Sequence, residues 1–75
     1  MKWEKIKTVK DENGTTITYA AEDTPLTIES RRRRIQHANR SGYWEYVSYF
    51  IMNGEQEIAE KWKLKEAKEY VEGMG

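Results

Sequence analysis

The sequence predicts an α+β domain: an antiparallel meander of about five strands, packed on one face by a single C-terminal helix. Three observations carry this reading. Turn signals recur at short intervals, "DENG" at 11–14, "DTP" at 23–25, "NRSG" at 39–42 and "NG" at 53–54. The runs between them are rich in Ile, Val, Thr and aromatics, which suit a pleated, half-buried surface. At Leu64 the apolar period changes from that of a strand to that of a helix.

The first two runs, "KWEKIKTV" and "TTITYA", flank "DENG" and read as a hairpin. "LTIES" follows the Pro25 turn. "GYWEYVSYFIM" and "EIAEKW" flank Asn53-Gly54, where both residues tolerate the positive φ of a type I′ turn. The segment through Arg31–Arg34 has two readings. As a strand, it puts Ile28 and Ile35 on opposite faces, which implies a bulge that switches faces. As a helix, it puts Arg31 and Arg32 where apolar residues are needed, so strand is preferred. In "LKEAKEYVEG", Leu64, Ala67, Tyr70 and Val71 share one helical face over 64–72, and Gly73 reads as a C′ stop. Such a stripe must lie on a sheet face, giving two layers.

Seventy-five residues form one domain, 1–75. With no cysteine there is no disulfide or thiolate staple, so stability rests on apolar packing. Trp3, Trp44, Trp62, Phe50 and five tyrosines supply it. Trp62 and Leu64 are expected to join sheet to helix, so that Trp62→Ala would cost about 3–5 kcal/mol. No apolar run is long enough to cross a membrane, and "MKWEKIKTVKDENG" has no apolar signal core. A cytoplasmic monomer is the expectation, with Asn13-Gly14-Thr15 and Asn39-Arg40-Ser41 as turns rather than glycosylation sites.

The formal net charge of zero hides an asymmetry. Between Leu26 and Trp44 lie five arginines, Arg31–Arg34 and Arg40, against one acid, Glu29. From Asn53 onward four lysines face six glutamates. If "NRSG" is a four-residue loop, Ala38 lies opposite Tyr43, His37 opposite Trp44, Ile35 opposite Tyr46 and Arg33 opposite Ser48. One face then carries Arg31, Arg33, Ile35, His37, Trp44, Tyr46, Ser48 and Phe50. The other carries Val47, Tyr49, Ile51, Ile58 and Trp62, and it takes the helix.

The open face interleaves guanidinium groups with rings, as a nucleic-acid surface does. The candidate residues for binding nucleic acid or another anionic partner are Arg31, Arg32, Arg33, Arg34, Arg40, Trp44 and Tyr46. The alternative is a small protein–protein interaction or structural protein whose arginines pair internally, with Glu45, Glu57 and Glu60 as partners. Such arginines would also stack on aromatic rings. No enzyme is expected: Ser30, Ser41 and Ser48 lie in no nucleophile-elbow pattern, and no glycine-rich phosphate loop occurs. Glu55 and Glu57 read as a solvated strand end, and Lys65 with Glu69 as a solvated helix face. His37 is the lone histidine, so neither a metal nor another cofactor is expected.

From Gly42 onward the chain resembles the AP2-like arm-site DNA-binding domain at the N-terminus of phage and transposon tyrosine integrases. The resemblance rests on "GYWEY" opening a long strand, Gly54 in a hairpin, and Trp62 before "KLKEAKEYVE", and it covers about 30 residues. It implies DNA binding through a sheet laid in the major groove, with reading residues on the open face near Arg33, Tyr46 and Lys61. The third strand here, "EQEIAEKW", is acidic where that family's is usually basic. The same sheet-plus-helix ending also occurs in small phage-type proteins of no known activity.

Overall fold

A computed structural model describes residues 2–12, 14–36 and 43–74. Five strands run in sequence order as one antiparallel sheet: β1 (Trp3–Asp11), β2 (Gly14–Ala21), β3 (Thr27–Gln36), β4 (Tyr43–Asn53) and β5 (Gln56–Lys61). Helix α1 (Leu64–Met74) lies against β3, β4 and β5. The predicted α+β meander with one covering helix is the observed architecture.

Each connection follows from local chemistry. Asp11 pairs with Gly14, and the Gly14 amide donates to Asp11 Oδ1 at 2.9 Å, closing the first hairpin. At the next turn the Leu26 amide donates to Thr24 Oγ1 at 3.2 Å. In the β4–β5 hairpin, Asn53 pairs with Gln56, so Gly54 and Glu55 form the loop. Gly54 has φ +65° and no non-glycine residue among those described has positive φ. The turn therefore has the φ signs of type II′, with glycine first, rather than the expected type I′.

The arginine segment is a strand. Its ladders with β2 and β4 carry no register shift, so the expected bulge in β3 is absent and positions 28 and 35 keep opposite parity along the strand. Irregularities fall instead between Lys5 and Lys7 in β1 and opposite Ile51/Met52 in β5. In β5, Ile51 pairs with Ala59 and Met52 with Glu57, leaving Ile58 as the extra residue. The extra residue reverses parity beyond it. Ala59 and Lys61, not Trp62, therefore continue the helix side. Trp62 is 68% exposed, which overturns its expected place in the core. The helix also continues through Gly73 to Met74, since Gly73 does not take the positive φ of a C′ residue.

The core is small and lies at one end. Leu26, Ile28, Ile51, Ala67 and Val71 are buried together, flanked by Trp3, Tyr19, Tyr49, Ile58, Ala59, Leu64 and Tyr70. The far half of β1–β4 extends past the helix as an arm, and β5 pairs with β4 only from Tyr49 to Asn53. The chain is accordingly long, 47 × 20 × 20 Å, with a radius of gyration of 13.9 Å. A compact domain of this length would have roughly 11 Å. β1 is an edge strand exposed at every residue after Trp3. Lys5, Lys7 and Lys10 along it discourage edge-to-edge pairing.

Candidate binding surfaces on the sheet

β3 alternates, so the arginine run is divided between two faces. Arg31 and Arg33 lie opposite Ser48 and Tyr46 on the open face; Arg32 lies opposite Val47 on the helix side, and Arg34 holds the position opposite Glu45. The β3–β4 register differs by two residues from the expected one, in which Arg33 faced Ser48. An even shift preserves every face, so the predicted faces of β3 and β4 are the observed ones. The pairs expected for His37 and Ala38, and Arg40, lie outside the described residues. Trp44 pairs with Ile35 in the ladder.

The open face holds a hollow of about 220 Å³ lined by Arg31, Arg33, Tyr46, Ser48, Phe50 and Glu60. The Arg31 guanidinium lies 4.1 Å from the Phe50 ring centroid. Its Nη2 is 3.5 Å from Glu29 Oε2 and its Nη1 3.6 Å from Glu57 Oε1. Two carboxylates and a ring thus surround this arginine. Arg33 Nη1 donates to the Arg32 carbonyl at 3.1 Å, and Arg33 has no carboxylate partner among the described residues.

On the helix side Arg32 Nε is 3.0 Å from Glu45 Oε1. Glu45 engages the Nε edge, and the arginine side chain stays 58% exposed. Lys61, which the resemblance placed with Arg33 and Tyr46, is on this side too. It pairs with Tyr49, and its Nζ lies 5.1 Å from the Tyr70 ring centroid.

Register assigns every charged strand position to a face. The open face carries Lys7, Arg31 and Arg33 against Glu4, Asp11, Glu29, Glu57 and Glu60. At its strand positions the helix side carries Lys5, Lys10, Arg32 and Lys61 against Glu45, and Arg34 holds the ladder position opposite Glu45. The strand positions of the open face are thus acidic on balance and those of the helix side basic, the reverse of the expected polarity, although α1 adds Glu66, Glu69 and Glu72 against Lys65 and Lys68 to the helix side. Sequence reading missed Lys5 and Lys10 and put Lys61 on the open face. The two extra residues, Ile6 in β1 and Ile58 in β5, decide which side these lysines share.

Among the described residues no group of three or more His, Asp or Glu could hold a metal ion. Among them, too, no helix is long and apolar enough to cross a membrane. No family model matches the chain, and no curated protein or solved structure shows significant similarity to it.

Proposed function

We propose that this chain is a non-enzymatic binding module for a polyanion, nucleic acid first and an acidic protein surface second, acting as a cytoplasmic monomer. One observation carries the reading: strand register gathers Lys5, Lys10, Arg32 and Lys61 against one strand acid, Glu45, on the helix side of the sheet. Part of that side, around Lys10 and Arg32, lies on the arm beyond the helix. Like charges gathered on one surface repel one another, and a partner's negative charge relieves that cost. The site therefore moves from the open face to the helix side. Arg32 and Arg34 remain in it, Lys10 joins it, and Arg31, Arg33 and Tyr46 leave it.

Titration with labelled nucleic acid at low and moderate salt tests this. Affinity should fall steeply with salt, and Lys10→Gln and Arg32→Gln should weaken it. Arg31→Gln and Arg33→Gln should matter little. Glu45→Gln, which removes the strand acid beside Arg32, should strengthen binding.

A second reading is favoured by the ion pairs of Arg31 with Glu29 and Glu57 and of Arg32 with Glu45. There the arginines hold the sheet together, and the module serves protein–protein contact or structure. Absence of nucleic-acid binding even at low salt, with Arg31→Gln and Arg32→Gln both lowering the melting temperature, would select it. Each exposed pair contributes only about 0–1 kcal/mol, so that loss would be small.

A further inference from the structure

Resting on the polyanion reading, we infer that the basic side of the arm takes the sugar–phosphate backbone of a double helix and does not read base sequence. The argument starts from width. The four strands of the arm, spaced by about 4.8 Å, make a sheet roughly 14 Å broad between its outer backbones, before side chains are added. The major groove of B-DNA is about 12 Å wide and admits a helix or a two-stranded ribbon. This face is too broad to descend to the base edges, and α1 stands on one end of it.

The chemistry of the face agrees. A row across the arm reads Lys10, Thr15, Arg32 and Val47, and the next reads Thr8, Ile17, Ser30 and Tyr49. The strands set the rows about 6.7 Å apart. Exposed cations beside threonine hydroxyls are donors for phosphate oxygens. Arg32 is held by Glu45 through Nε, so its other N–H groups stay available. Most rings that could stack on unpaired bases are elsewhere. Tyr46 and Phe50 are on the open face, and Tyr19 and Tyr49 pack against the core. Single strands are held largely by stacking, at about 1–3 kcal/mol per base, which takes a row of rings; on this side of the arm the ladder adds one ring position, Tyr43 at the end of β4 opposite Gln36.

The test is fluorescence anisotropy with two short duplexes of unrelated sequence and with their separated strands, between about 50 and 200 mM salt. Both duplexes should bind with the same affinity and more tightly than either strand. The slope of log K against log salt should fall by roughly 0.9 for each of Lys10→Gln and Arg32→Gln. Tyr46→Ala should change neither affinity nor slope, with circular dichroism confirming that each variant is folded. Tighter binding of single strands, weakened by Tyr46→Ala, would overturn the inference while leaving a nucleic-acid function standing. So would a preference between duplexes of roughly tenfold or more, the size of one good base contact. Absence of binding to any of these nucleic acids at the lowest salt would remove both the inference and the reading beneath it.

Discussion

Replacing Ile51 with alanine should leave little folded protein at room temperature. Ile51 is fully buried between Ile28 and Ala59 in a row running Lys5, Tyr19, Ile28, Ile51 and Ala59, and it belongs to the cluster under Ala67 and Val71. Truncating a buried isoleucine costs about 2–5 kcal/mol, through lost burial and the cavity left behind. Among the described residues only five form the buried cluster, so few fully buried neighbours can collapse into the gap. A domain of this size has on the order of 5 kcal/mol in total. Trp62→Ala should behave in the opposite way. The side chain is mostly exposed, and its loss should change stability by about 0.5 kcal/mol or less. Urea denaturation followed by far-ultraviolet circular dichroism compares the two. An unfolded Trp62→Ala protein would mean that β5 lacks its extra residue at Ile58, and a stable Ile51→Ala one that the core lies elsewhere.

Gly14→Ala should be nearly as damaging, although it adds one methyl group at a hairpin. Gly14 has φ +156° and lies against β3, where an added Cβ would fall on the carbonyl oxygen of Arg32. The obstacle is backbone, not the flexible end of a side chain, so β2 and β3 would have to part. Overpacking of this kind costs about 1–3 kcal/mol or more. The melting temperature should fall by roughly ten degrees. Gly54→Ala is the control. Gly54 has φ +65° but open space around it, so only the left-handed penalty of about 1–2 kcal/mol applies. A Gly14→Ala protein that melts with the parent would show that the two strands are not in this close contact.

Strand order, the single covering helix and the faces of β3 and β4 are legible in the sequence. Turn chemistry at Gly14 and Gly54 separates the strands, and the change of period at Leu64 marks the helix. The two-residue error in the β3–β4 register did no harm, because side chains repeat every two residues. The extra residues Ile6 and Ile58 were not legible. In "EIAEKW" Ile58 and Ala59 are both apolar, so alternation alone does not say which of them faces the core. Packing decides it, since Ala59 lies opposite Ile51 and under α1. From that one choice follow the misplacement of Trp62 and the wrong side for Lys61. In β1, "KIKTVK" has lysines on both parities, and only the irregularity at Ile6 assigns Lys5 and Lys10 to the same side.

The meander also sets an order of assembly. Each strand pairs with its neighbour in sequence, so hairpins can form as the chain emerges from the ribosome, with short loops to close. The cover for Ile28 and Ile51 comes last, because Ala67 and Val71 follow every strand. Until then the nascent sheet shows an apolar strip to other chains, the kind of surface that chaperones engage. The step that completes folding is therefore the docking of α1.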